Sequence, residues 1–396
     1  MVSVSRSPPR SGAHERITLP VVTSLDPSEL YPAERLADAA AAAAAADIDA
    51  LLVSPGADLR YLTGYAAVAL ERLTCLLLPA TGDALLVVPK LEEPAAQASP
   101  AGTLDLEIVT WEETDDPYAV LAKRLPSSAR RVGVDNHMWA EKVMAFRRVL
   151  PDAEQVLAGP VLAELRIRKS PAEVAALRRA GEAIDRVHRR MGEWLRPGRT
   201  EREVGRDIAD AIVSEGHVRV DFVICASGPN AASPHHDTGE RVVETGDPVV
   251  VDIGGTTEDG YCSDETRTYC VGEPPQDFLR YYEVLQAAQA AACEAVRPGV
   301  TAEQLDAAAR DVITAAGYGD HFVHRTGHGI GLETHEEPYI VAGNERPLEP
   351  GMVFSVEPGI YLPGRHGARI EDIVACTPDG GDRLNRVDRA LAVLEG

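Results

Sequence analysis

Short, wholly apolar runs bounded by turn residues recur along the first half of the chain, at residues 50–54 (ALLVS), 75–79 (CLLLP) and 84–89 (ALLVVP). Runs this short, flanked by Asp, Gly and Pro, predict buried strands rather than helices. Between them the pattern changes. Residues 32–47 (PAERLADAAAAAAAAD) are nearly all alanine with acidic ends. Alanine loses least on entering a helix, so this segment predicts one, and the apolar IDALLVS that follows argues against a low-complexity linker. Residues 118–125 and 140–150 also predict helices. Strands alternating with helices predict an α/β domain.

The pattern shifts again at residues 165–171 (LRIRKSP), where Ser170 and Pro171 open a long amphipathic segment, AEVAALRRAGEAIDRVHRRMGEWL. Serine as the cap and proline in the first turn mark a helix start. A domain boundary is therefore expected just before it, dividing the chain into an α/β unit at 28–164 and an α+β unit at 165–396. The second unit contains a repeat. RPGRTEREVGRDIADAIVSEG begins at Arg196 and RPGVTAEQLDAAARDVITAAG at Arg297, 101 residues later. The Arg-Pro-Gly turn, the threonine four positions after the arginine and the final glycine all recur, each after a long predicted helix. Two such units imply similar halves related by a pseudo-twofold, with a site between them. Strand runs are expected at 219–226, 247–253 and 265–271 after the first copy, and at 322–331, 352–358 and 369–376 after the second.

Composition narrows the function classes. The chain has 396 residues, beyond the usual size of a single core, which agrees with two domains. Its 62 acidic against 39 basic residues give a net charge of −23. A chain this acidic lacks the basic face that nucleic acid or an anionic membrane requires, so neither is expected as a partner. Six scattered cysteines without a CxxC pair predict reduced thiols and a cytoplasmic setting. The first 27 residues, rich in Ser, Pro and Arg, lack the apolar centre of a secretory signal and are expected to form a disordered tail.

The informative polar residues lie on the predicted strands of the second unit. In VHRTGHGIGLETHEEP (323–338), His324, His328 and His335 alternate with Gly327, Gly329 and Gly331. Glycine-framed histidines have little side-chain cover, which suits a site better than a core. Asp252 ends the apolar run PVVVD, Asp264 lies in GYCSDETRT, Glu357 follows MVFSV, and Glu371 lies in ARIEDIVAC. Singly, Asp252 or Glu357 could cap a strand end, Glu371 could pair with Arg369, and Asp264 with Arg267. Four converging buried acids would repel strongly at low dielectric. With His328 they suit two divalent ions bridged by carboxylates. Cys262 and Cys270 flank Asp264, but thiolates do not suit so oxygen-rich a set, and packing is expected of them.

These motifs, VDIGGTTEDGYCSDETRT, HRTGHGIGLETHE, VEPGIY and ARIED, resemble those of the pita-bread metallopeptidases, in the group of Xaa-Pro aminopeptidases and prolidases. The likeness covers about residues 165–390, and the first half resembles the smaller α/β domain of that group. It implies a creatinase-like α/β domain before a pita-bread catalytic domain. It implies Asp252, Asp264, His328, Glu357 and Glu371 as metal ligands, with Asp264 and Glu371 bridging, and Glu357 also as general base. His235, His324 and His335 match histidines that contact or support the substrate, and Arg369 matches the arginine that supports the last ligands. Two divalent ions are implied, manganese first, cobalt or zinc next. The implied substrates are small peptides with proline at the second position, and a homodimer is expected. One departure stands out: the interval from Asp252 to Asp264 is one residue longer than the pattern, with the extra residue in 256–259. Two rivals remain, a creatinase-like amidinohydrolase working without metal and a non-catalytic binding module of the same fold.

Overall fold

The computed structural model describes residues 26–396. Residues 1–25, most of the segment expected to be a tail, lie outside the described residues; Asp26 caps a one-turn helix at Pro27–Leu30.

Six strands form the first sheet: β1 (Ala50–Val53), β2 (Cys75–Pro79), β3 (Ala84–Pro89), β4 (Leu106–Trp111), β5 (Arg131–Val134) and β6 (Glu154–Leu157), in the order β4-β3-β2-β1-β5-β6. Its central strands are apolar at every position because both faces are covered. Leu51, Val53, Leu76, Leu78, Leu86 and Val88 pack on one side with Leu36, Ala39 and Ala43 of the helix Glu34–Ala45. Ala50, Leu52, Leu77, Leu85 and Val87 pack on the other with Phe146 of the helix Ala140–Val149. The predicted alanine-rich helix thus exists, shortened to Glu34–Ala45, and it is held by packing as well as by propensity.

The second unit repeats one plan twice, as the paired Arg-Pro-Gly segments predict. In the first half, the helices Pro171–His188 and Glu201–Ser214 back a sheet of β7 (His217–Ser227), β8 (Pro248–Thr257) and β9 (Cys262–Val271). In the second, the helices Gln276–Ala295 and Ala302–Ala315 back β10 (Gly327–Gly329), β11 (Glu336–Ile340), β12 (Val353–Val356), β15 (Asp372–Thr377) and β16 (Gly380–Arg383). A ribbon of β13 (Gly359–Leu362) and β14 (His366–Arg369) lies between them, and β17 (Ala392–Leu394) adds to the edge of β9.

The repeat extends to single hydrogen bonds. Gly198 and Gly299 take φ values of 88° and 87°, conformations that glycine adopts without steric cost. Their N–H groups donate to the carbonyls of Val243 and Leu348 over the same 2.9 Å. Thr200 and Thr301 each accept from the backbone N–H three residues on, at 3.2 Å, while Glu203 and Gln304 accept in return. Among the described residues no helix is long and apolar enough to cross a membrane.

The matched caps generate a prediction. Thr200→Ala and Thr301→Ala should each lower the unfolding free energy by about 1 kcal/mol. The double variant should lose roughly the sum, because the caps share no partner. Denaturant midpoints at unchanged m-value check this; a cost confined to one cap would break the equivalence of the halves.

Candidate metal centre

Strand register brings the acids together. In the β8–β9 pair, Asp252 sits opposite Thr266 and Gly254 opposite Asp264. Opposed residues, and those two apart on one strand, share a face, so Asp252, Asp264 and Thr266 project together. In the β12–β15 pair Val356 opposes Asp372, which leaves Glu357 and Glu371 flanking the pair's end on the side of the β8–β9 sheet. Thr266 closes the gap: its hydroxyl donates to Glu371 at 2.7 Å, and its carbonyl accepts from the Glu371 N–H at 3.1 Å.

His328 arrives on β10, and its neighbours explain the glycines. A Cβ on Gly327 would lie 1.8 Å from the Ser355 carbonyl oxygen, and one on Gly329 would lie 2.2 Å from that of Glu337. Glycine here lets β10 press between its neighbours. The His328 Nδ1 lies 3.1 Å from the Gly329 carbonyl oxygen, a contact that fixes the proton on Nδ1 and leaves Nε2 free toward the acids. Nε2 is 3.2 Å from Glu357 and 3.7 Å from Asp264. Ligand atoms of Asp264, His328 and Glu371 all lie within 4.8 Å of one another.

All nine residues singled out in the sequence, Asp252, Asp264, His328, Glu357, Glu371, His235, His324, His335 and Arg369, line one cavity of about 530 Å³. Asp252 stands slightly apart, ion-paired to Arg369. That arginine also donates to Tyr361 at 2.7 Å, Thr266 at 3.1 Å and the Pro234 carbonyl at 3.2 Å. Hence Glu371 does not pair with Arg369, nor Asp264 with Arg267, which binds Glu265 and Asp372 on the far side. Asp259, beside the longer turn, is paired with Arg179, and the turn's backbone accepts from Tyr31 and Arg60 of the first unit. Residues 258–259, within the segment where the longer interval was expected, lie at this docked tip.

The electrostatics demand a cation. Burial, then the charges of Glu371, Asp252 and Glu357, raise Asp264 well above the usual carboxylate range, and Glu371 is raised by burial and the same neighbours. Burial also opposes the Glu357 carboxylate, but the neighbouring His328, then His324 and Arg369, outweigh this and hold its pKa down to about 2. Asp252 Oδ1 and Glu371 Oε1 are buried without any hydrogen-bond partner. Buried acceptors left unpaired cost free energy, and hard oxygen donors beside one imidazole are a fitting set for divalent cations.

The histidines divide. His324 has both ring nitrogens engaged, with the Arg325 carbonyl at 2.7 Å and the Tyr361 hydroxyl at 2.9 Å. His236 is tied to the buried Glu201 at 2.8 Å, which leaves His235 as the one that reaches the cavity. His335 stands edge-on to His328, ring centroids 4.1 Å apart, and burial together with His328 lowers its pKa to about 4. Sequence reasoning missed Thr266 and Tyr361. Thr266 lies two residues from Asp264 on the same strand, so alternation alone could have found it; Tyr361 carried no such signal.

Comparisons with known proteins identify the family. Residues 175–378 match the model of metallopeptidase family M24, and residues 35–168 that of the creatinase/prolidase N-terminal domain. A probable dipeptidase PepE of Mycobacterium bovis is 53% identical over 93% of this chain and 97% of its own. An Xaa-Pro dipeptidase of Lactobacillus delbrueckii subsp. lactis is 37% identical over 88% of this chain and 95% of its own. The crystal structure of dipeptidase PepE from Mycobacterium ulcerans superposes with a TM-score of 0.88 at 52% identity, covering 94% of this chain and all of that one.

If cations neutralise these acids, stripping them with a chelator should lower Tm and manganese should restore it. An ion at 100 times its Kd stabilises the folded state by about 2.7 kcal/mol. A Tm indifferent to chelator and metal would contradict the fit.

Proposed function

The chain belongs to metallopeptidase family M24, and on that premise we propose that it is a two-metal Xaa-Pro peptidase, hydrolysing the peptide bond that precedes proline at a peptide's N-terminus. The observation that carries this reading is the buried set of four carboxylates and His328, two of whose oxygens lack any partner, in a cavity large enough for a small peptide. The Xaa-Pro dipeptidase name of the Lactobacillus relative supports the choice of bond. A metal-free amidinohydrolase would not need all five positions intact.

In this proposal Asp252, Asp264, His328, Glu357 and Glu371 would hold two divalent ions. Manganese is the first choice, cobalt or zinc the next, because the donors are mostly hard oxygens. Bound ions would polarise the scissile carbonyl and acidify a water to near-neutral pKa. Glu357, which stays ionised through the neutral range, accepts the proton of the attacking water. His335 is neutral in that range, and neither its ring nitrogens nor those of His235 have a hydrogen-bond partner among the described residues. His335 donates to the carbonyl oxygen as negative charge grows there, and His235 contacts the substrate. His324, engaged at both nitrogens, holds Tyr361 and through it Arg369, which is ion-paired to Asp252. Free cysteines throughout the described residues favour a reducing, cytoplasmic setting.

Two comparisons test these roles. Glu371→Gln should lose metal and turnover, whereas Glu258→Gln, exposed at the tip of the β8–β9 hairpin, should be nearly silent. Equal behaviour of the two would refute the ligand assignment. His335→Ala should lose about 10²–10³ in turnover yet keep its metal, while His328→Ala loses both. Metal content measured beside turnover on Ala-Pro and Ala-Pro-Ala decides; metal loss in His335→Ala would overturn its role.

A further inference from the structure

The helix Glu201–Ser214 begins with a carboxylate that the metal centre does not use. Glu201 is fully buried, and each side-chain and backbone group bonded to its carboxylate is a donor. One oxygen accepts from the Ser227 N–H and hydroxyl, both at 2.7 Å, and from the Asn230 amide at 3.0 Å. The other accepts from that amide at 3.1 Å, from His236 Nε2 at 2.8 Å and from the Gly239 N–H at 3.4 Å. Burial opposes the charge, but these hydrogen bonds outweigh it and hold the carboxyl below its ordinary range.

The donors belong to one segment, residues 227–239, which leaves the end of β7 and brings His235 to the cavity. Glu201 grips it on both sides of that histidine, at Ser227 and Asn230 before it and at His236 and Gly239 after it. The carboxylate places the His236 proton on Nε2 and occupies that ring, so the adjacent His235 is the one left for the cavity. Arg369 meets the same segment from the cavity side, at the Pro234 carbonyl, 3.2 Å away.

The repeat shows that this acid serves its own half. At the matching position of the second copy, 101 residues on, stands Ala302, and Asp306 stands where the first copy has Gly205. Residues four apart share a helix face, and all four of these are buried. Asp306 accepts from the Thr326 N–H at 3.1 Å and hydroxyl at 2.7 Å, and the Thr326 carbonyl accepts from the Glu357 N–H at 2.8 Å. Each copy thus places one buried acid on this face, one turn apart, and each acid ties down a different part of the cavity wall.

We propose that Glu201 is the positioning residue for His235: it fixes the backbone of residues 227–239 so that this histidine meets the substrate. This rests on the peptidase reading given above, in which His235 contacts the peptide, and adds the residue that places it.

The test is a double-mutant cycle on the metal-loaded protein, with Ala-Pro and Ala-Ala as substrates and metal content recorded for each variant. Glu201→Gln keeps the size but turns one acceptor into a donor facing donors. It should lower kcat/KM about 10-fold, divided between kcat and KM as in His235→Ala, and keep the parent's metal content. In the His235→Ala background the same change should cost less than about twofold. A merely structural role would cost the same factor in both backgrounds. Asp306→Asn, which alters the buried acid of the other half, should cost the same with and without His235. Equal cost of Glu201→Gln in both backgrounds, equally strong coupling of Asp306→Asn to His235, or metal loss in Glu201→Gln overturns the assignment and leaves the Xaa-Pro reading standing. If Glu201→Gln does not fold, His236→Leu, which removes one donor, takes its place in the cycle; if His235→Ala has no turnover, His235→Gln supplies the background. A parent that cleaves Ala-Ala faster than Ala-Pro overturns the proline reading, while the cycle still decides the role of Glu201. A parent that cleaves neither overturns both.

Discussion

Four carboxylates crowded into one mostly buried cavity dictate the rest of this structure. Like charges this close, away from bulk water, repel by several kcal/mol, so without compensation the folded state would open or its acids would take up protons. Of the two arginines that line the cavity among the described residues, Arg369 is committed to Asp252 and Arg325 pairs with none of the four acids. Asp264 and Glu371 are left facing one another with a single imidazole between them and the remaining acids. Divalent metal, which membership of the metallopeptidase family implies, suits this set.

The doubled fold is what makes this crowding attainable. Each half contributes a pair of acids next to a buried apolar core: Asp252 and Asp264 on strands of the first, Glu357 and Glu371 at strand ends of the second. Neither half alone would gather four. Behind the acids lies a second ring of contacts. Arg267 bonds the Glu371 carbonyl and pairs with Asp372 and Glu265, each a neighbour of a candidate ligand. Gln289 reaches Asp372 at 2.9 Å from the opposite helix. Such a frame fixes the strands that carry the acids, so their side chains are positioned before any ion arrives.

Much of this was legible in the sequence, for identifiable reasons. The repeat was readable because its turn glycines and threonine caps obey local rules that hold wherever the segment sits. The acids were readable because each interrupts an apolar run, and a charge there needs a partner. Other features depend on contacts distant in sequence. Residues 322–331 read as one strand, yet only Gly327–Gly329 pair, since His324 turns away to meet Tyr361 and Arg310 binds the preceding carbonyls. Residues 369–376 likewise read as one strand but are two, β14 and β15, broken at Ile370 and Glu371 as the chain changes sheet. Polar strands such as β6 and β16 carried no apolar signal. Arg325 looked like any charge beside a histidine until its lack of a carboxylate partner could be seen.

The central claim is that two divalent ions complete the charge of this cavity, and counting them tests it most directly. Native mass spectrometry of the active protein should show two ions per chain, and stepwise removal should take activity with it. Full turnover from a chain carrying no divalent ion would contradict the account.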